Sequence, residues 1–294
     1  MARYIDPLLD FGFKKIFGSA ASKEFLIAFL NEVFEGRKNI VDVKYNQTEH
    51  HGDLPNEGFA VYDLLCTDKD GAMFIIEMQR GKQKHFKERA LFYTSRLISA
   101  RRPRTRHKHN KYKLPDVSLI AILEDFALED SEADEYVQEI CLCNRKNGKV
   151  FYKKNSQIYI ELIKFVKTES ELQTDLDKWL YILKNMRTME EIPPSLQKPI
   201  FIRLFKLAEY SNLTEEEKMY YDSRDKHRWD NQNVFDYAIA EAKRVTEIEV
   251  AAKTAIEAKA KTTTDIAKKM KKKGYPVTEI AEMTNIQIDE IDKL

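Results

Sequence analysis

Gly58-Phe59-Ala60-Val61-Tyr62-Asp63-Leu64-Leu65-Cys66-Thr67, then Asp68-Lys69-Asp70-Gly71, then Ala72-Met73-Phe74-Ile75-Ile76-Glu77-Met78-Gln79, is the stretch on which the fold turns. Two strand-like apolar runs flank an Asp-Gly step, a strong local signal for a β-hairpin. With a turn over 68–71, paired residues carry numbers summing to about 139. Asp63 then falls opposite residue 76, and a one-step change of register sets it beside Glu77 on one face. Gln79, two residues on, projects from the face of Glu77. The flanking Val61, Leu65, Ile75 and Ile76 read as buried. Carboxylates in such strands are costly unless they are paired, neutralised or bound to a cation. Oxygen donors of this kind suit a hard cation such as Mg²⁺ or Mn²⁺. Spacing alone leaves two other readings open: Asp63 can accept backbone N–H groups or pair with a lysine, and Glu77 can lie on a wet face.

Working outward, residues 22–35 read as an amphipathic helix, with Phe25, Leu26, Phe29, Leu30 and Val33 at helical spacing. Residues 40–45 read as a strand and 84–100 as a helix. Val117 to Leu123 (VSLIAIL) is a short apolar run, the pattern of a strand buried on both faces. Further strands are expected over 137–142 and 157–163. Beyond 165 the pattern is helical: 169–186, 196–210, and a third helix opening at Thr214 with Glu215, Glu216 and Glu217 in its first turn. From 230 to 273 there is no proline or glycine, which favours one long helix. Its thin stripe (Phe235, Ile239, Ala242, Val245, Ile248, Ala252, Ala255) suits a weak packing or self-association seam, the basis for expecting a homodimer through the C-terminal helix. Short helices over 278–283 and 287–294 follow Gly274-Tyr275-Pro276 and resemble the start of a helix-turn-helix, although Asp289, Glu290 and Asp292 would meet phosphate poorly. The expected organisation is an α/β domain over 1–165, a helical region over 166–229, and a long helix with a small tail over 230–294.

Asp63 followed by Glu77-Met78-Gln79 after a hairpin resembles the Asp…(Asp/Glu)-x-Lys signature of the PD-(D/E)XK nuclease superfamily. The α-β-β-β-α-β succession is similar to that superfamily's restriction-endonuclease-like core, a mixed sheet flanked by helices. Asp10-Phe11-Gly12-Phe13-Lys14-Lys15-Ile16-Phe17-Gly18 and Glu88-Arg89-Ala90-Leu91-Phe92-Tyr93-Thr94-Ser95-Arg96 more specifically resemble the recombination-promoting nuclease (Rpn) and transposase group, over roughly 4–165. The resemblance implies Asp63 and Glu77 as metal ligands, with the Met78 carbonyl as a further oxygen. Gln79 occupies the position usually filled by lysine, so it can bond a water but brings no charge. The implied activity is Mg²⁺- or Mn²⁺-dependent hydrolysis of DNA by a metal-activated water, with low sequence specificity, in bacterial recombination or transposition. The alternative is a catalytically weak, nuclease-derived DNA- or protein-binding module.

Other residues are candidates for supporting roles. Glu24 or Glu32 could add a ligand or base. Asp10, Lys14 and Lys15 could line the cleft, and Arg89 and Tyr93, one helical turn apart, could face it. Residues 101–113 hold seven Lys/Arg, two His and no acid, and Arg101, Arg102, Arg104 and Arg106 are the candidate contacts to DNA backbone. The acidic stretch 124–139 could instead balance that run. The 294 residues carry 49 Lys/Arg against 48 Asp/Glu, a formal charge of +1, so attraction to DNA must come from local charge. No run approaches the length of a spanning helix, no leader is visible, and the three cysteines (Cys66, Cys141, Cys143) show no zinc spacing. A soluble, cytoplasmic protein is expected. With no glycine-rich phosphate loop, no nucleotide cofactor is expected.

Overall fold

The computed structural model describes residues 2–50, 60–100 and 113–294. Helix α1 (Asp10–Phe17) and α2 (Lys23–Val33) precede strands β1 (Val43–Tyr45), β2 (Glu49–His50), β3 (Ala60–Val61), β4 (Leu64–Asp68) and β5 (Met73–Gln79). Helix α3 (Phe86–Ala100) leads to β6 (Val117–Leu123), β7 (Val137–Cys143) and β8 (Val150–Glu161). Then come α4 (Asp175–Asn185), α5 (Pro199–Ala208), α6 (Glu215–Lys272), α7 (Val277–Thr284) and α8 (Ile288–Asp292). The six-stranded sheet has the order β1-β4-β5-β6-β8-β7, while β2 and β3 pair separately. Neighbours β5, β6 and β8 run parallel, whereas β1, β4 and β7 pair antiparallel. This is the mixed α/β sheet that the element succession implied.

Alternation along the strands divides the sheet between two cores. On one face Phe74, Ile76, Ile120, Ile122, Ile158 and Ile160 pack in a cluster with residues of α1, α2, α4 and α5. Trp179 on α4 sits among Phe17, Phe29 and Phe201, with centroids 6.0, 5.8 and 5.2 Å away. On the other face Leu65, Met73, Ile75, Leu119, Ala121 and Tyr159 pack under Phe86, Ala90 and Leu97 of α3. Glu77 and Gln79 continue the odd-numbered set and therefore emerge on the α3 face. Two-sided burial explains why Met73 to Ile76 of β5 and every residue of β6 but Ser118 are apolar.

Residues after 165 complete the first core rather than forming a region of their own: the first compact unit is Met1–Asp225 and the second Lys226–Leu294. The long helix starts earlier than composition alone suggests. The stretch opening at Thr214 and the stretch from 230 are one helix, Glu215–Lys272. The Thr214 hydroxyl accepts the Glu217 N–H (3.2 Å) and the Glu217 carboxylate accepts the Thr214 N–H (3.0 Å), a reciprocal cap at that start. A similar box at Thr174 and Asp177 begins α4 inside the expected 169–186 helix. In the second unit, Ala267, Ile280 and Ile291 form a small core, and left-handed Asn285 (φ 58°) turns the chain between α7 and α8. None of the described helices is long and apolar enough to cross a membrane.

Candidate active site

The hairpin turn is one residue shorter than the four-residue turn expected from sequence. Asp68 and Ala72 close it, the Asp68 N–H donating to the Ala72 carbonyl at 2.9 Å, around Lys69-Asp70-Gly71. Gly71 at φ +85° makes the left-handed bend that a side chain would strain. The Asp68 carboxylate accepts from the Asp70 and Ala72 N–H groups at 2.9 and 2.8 Å and fixes the turn. The ladder then pairs Leu64 with Ile76, so position numbers sum to 140 and Asp63 follows opposite Glu77. That is the one-step shift that brings the two acids together.

Asp63 lies one residue before β4, where the paired strand has ended. Its Oδ2 accepts the Met78 N–H at 2.7 Å, and Glu77 Oε1 accepts the Asp63 N–H at 3.3 Å. Each carboxylate is thus held by the backbone of the other's strand. It is the Met78 amide, not its carbonyl, that meets Asp63. Among the described residues neither acid forms an ion pair, and Asp63 Oδ1 and Glu77 Oε2 have no hydrogen-bond partner. Glu77 is 8% exposed. Burial, reinforced by the Asp63 charge, pushes its carboxyl up to about 8, against the pull of Arg89. Burial also raises Asp63, with Asp10 adding to the rise, while the Met78 N–H, Lys14 and Arg89 oppose it.

These residues fit a divalent cation. Two facing carboxylates, Glu77 buried and Asp63 half-buried, each with an oxygen lacking a bond, meet its charge and its preference for oxygen donors. Among the described residues no three His, Cys, Asp or Glu side chains converge as a ready metal cluster. The remaining ligands would be water, backbone or phosphate oxygens, a partition that suits Mg²⁺.

The other candidates separate. Gln79 is fixed on both sides of its carboxamide: Nε2 donates to the Gly81 carbonyl (2.9 Å) and Oε1 accepts from Arg89 Nη2 (2.6 Å). Asp10 and Lys14 share α1, are paired at 2.8 Å, and act electrostatically on Asp63. Lys15 turns instead to Glu217, at 2.5 Å. Glu24 pairs with Arg203 on α5 (2.6 Å), and Glu32 is influenced by Asp175 and Lys198, so α1 rather than α2 supplies the helix acid near Asp63. Tyr93 packs edge-on against Tyr62 with centroids 5.1 Å apart. Arg101, Arg102, Arg104 and Arg106 lie outside the described residues. A separate, largely apolar cavity of about 390 Å³, lined by Lys87, Leu91, Leu128, Ile140 and Asn155 among others, contains none of these acids.

Sequence spacing marked Arg89 as able to face the site but not what it holds. Its bond to Gln79, ten residues back, depends on α3 lying across the sheet. A family model described as PD-(D/E)XK nuclease family transposase matches residues 7–238, from the segment before α1 into α6. No curated protein and no solved structure matches the chain.

Proposed function

Because the chain belongs to the PD-(D/E)XK nuclease family of transposases, we propose that it is a metal-dependent DNA endonuclease of low sequence specificity, acting in recombination or transposition. The observation that carries this reading is the Asp63–Glu77 pair, a half-buried and a buried carboxylate facing each other, each held by the backbone of the other's segment. Asp63 and Glu77 hold the cation, Mg²⁺ or Mn²⁺, with the Met78 carbonyl as a further oxygen. When bound there, such a cation polarises a phosphate and makes water a stronger nucleophile. The protein's own part is to keep both acids facing one point, to limit water around them by burial, and to orient the neighbouring amide of Gln79. Contacts to phosphate give affinity without reading bases, hence the low specificity. Lys14 and the 101–106 arginines are the proposed backbone contacts. The same reading keeps the protein in a bacterial cytoplasm, without a nucleotide cofactor.

The test is nicking of supercoiled plasmid by the wild type, Asp63→Ala and Glu77→Ala in Mg²⁺, Mn²⁺ and EDTA. Metal-dependent nicking lost in both variants is expected. A wild type inactive in both metals, or equal activity in all three proteins, would overturn the catalytic reading. A binding module of the same fold would then remain. The exposed α6 stripe, with Phe235 62% and Ile248 55% exposed, is proposed as the seam of a homodimer.

A further inference from the structure

Breaking a phosphodiester gathers negative charge on the non-bridging oxygens, and a fixed cation beside them stabilises that state. Strand β5 supplies none, because Gln79 is neutral. Two cations act on the acids from outside that strand. Lys14 acts on Asp63 but is itself bound to Asp10 at 2.8 Å, whereas Arg89 acts on both Asp63 and Glu77.

Arg89 is held in a way that leaves its charge free. Nη2 donates to Gln79 Oε1 (2.6 Å) and Nη1 to Gln83 Oε1 (2.5 Å). Its guanidinium carbon lies 5.3 Å from the Phe86 ring centroid and 5.8 Å from that of Tyr93. These partners are neutral, and among the described residues Arg89 forms no ion pair. Lys87, two residues earlier on the same helix, is by contrast paired with Asp130 at 2.8 Å. A guanidinium has five N–H donors, so three remain after the two amide bonds. Gln79 cannot turn away without also breaking its bond to Gly81.

Resting on the nuclease reading above, we infer that Arg89 is the cation that binds a non-bridging oxygen of the scissile phosphate, with Gln79 as its positioning residue. In the reaction, the water oxygen bonds to phosphorus as the bond to the leaving oxygen breaks. One water proton passes to solvent, and the leaving oxygen takes one up. Arg89 keeps all its protons and contributes hydrogen bonds and charge. The cation at this site therefore reaches the phosphate from α3, through an amide on β5, rather than from β5 itself.

The test uses the full chain with Arg89→Met, which keeps the stem against Phe86 and Tyr93, together with Arg89→Lys and the double variant Gln79→Lys/Arg89→Met. In Mn²⁺, Arg89→Met should lose at least about 100-fold in kcat for nicking while its melting temperature stays within a few degrees. Arg89→Lys should retain more activity, and the double variant should recover at least about tenfold over Arg89→Met. A second readout needs no cleavage: duplex DNA affinity by fluorescence anisotropy, with Ca²⁺ as the metal probe, across a salt series. Loss of one phosphate contact should lower the slope of log affinity against log salt by about 0.9. An unchanged slope, or Arg89→Met nicking within about threefold of wild type, overturns the assignment. A wild type that nicks in neither metal refutes the nuclease reading separately, and the salt slope still decides the role of Arg89.

Discussion

Replacing Glu77 with glutamine removes one of two facing carboxyls while preserving the Oε1 that accepts the Asp63 N–H at 3.3 Å. In the folded, metal-free protein Glu77 ionises near 8, because burial and the Asp63 charge disfavour its anion. In the unfolded chain it ionises near its ordinary 4.5. Between those values the folded state binds more protons than the unfolded one, so stability is present below about 4.5 and is lost as pH rises through 8. The slope within the window is at most 1.36 kcal/mol per pH unit, and sharing of the proton with Asp63 reduces it. From pH 5.5 to 7.5 the cost is therefore about 2 kcal/mol, equivalent to about 4–8 °C in melting temperature for a unit of this size. Glu77→Gln has no such carboxyl, so the difference in melting temperature between the two proteins should grow across that interval in EDTA, with the variant ahead at high pH. Added Mn²⁺ should reverse the order, because a ligand of the folded state stabilises only the protein that binds it. Scanning calorimetry at several pH values, with and without Mn²⁺, checks both parts. Parallel pH profiles, or equal stabilisation of both proteins by Mn²⁺, would refute the argument that Glu77 is a buried acid held for a cation.

Four other outcomes follow from the packing. Trp179→Ala empties the junction of Phe17, Phe29 and Phe201 and should cost about 3–5 kcal/mol in denaturant titration. Asp177 is raised by burial but held well below its usual range by Lys167, Tyr136 and the N–H groups of Thr174 and Gln173. Its contribution is thus present above about pH 4 and lost in acid, and Asp177→Ala should cost about 3 kcal/mol at pH 7 and flatten the acid limb of a pH-stability curve. Gly12→Ala would place a Cβ 1.9 Å from the Asp6 carbonyl oxygen; it should displace α1 and lower melting temperature by several degrees, read by thermal circular dichroism. Ile248→Glu on the exposed stripe should convert a dimer to a monomer of 34.5 kDa in sedimentation equilibrium if a second copy covers that face.

The legible parts of the fold are those in which one residue pattern has one physical solution. Val117 to Leu123 is apolar at six of seven positions, Ser118 being the exception, and buried at all seven, so β6 is readable to the residue. The Asp-Gly step marked the hairpin, although only the structure shows that Gly71 closes a three-residue loop. Helix α1 was not readable in the same way. Its cap residue is Leu9, without a side-chain bond, and Gly12 lies in its middle; the helix depends on the close crossing of Asp6 over Gly12, a tertiary event. Strand β7 runs one residue past its expected end, while β8 begins at Val150 rather than 157 and stops at Glu161 rather than 163; β7 is an edge strand with Ile140 and Leu142 half-exposed, which blurs alternation. Their turn at Asn144–Gly148 requires left-handed Gly148.

The site is where local and tertiary information part most clearly. Strand periodicity brought Asp63 within one register step of Glu77, but a one-step slip places two residues on opposite faces, so only the three-residue turn of the structure sets the acids side by side. Their environment was not legible in the sequence, because it depends on α3 and α1 approaching from different parts of the chain. Arg89 reaches Gln79 only because Ala90 and Phe86 anchor α3 over Ile75 and Tyr159, which leaves the Arg89 side of the helix toward the acids. The same argument explains where the unit ends. A boundary at 165 would strip Trp179, Phe201 and Phe205 from the aromatic cluster holding α1, and with it Asp10 and Lys14 beside Asp63. The compact unit accordingly ends at Asp225, and the family match continues to 238. The helices after the sheet are therefore part of what positions the acids, and a truncation at 165 should lose the fold of α1 before it loses any group of the site itself.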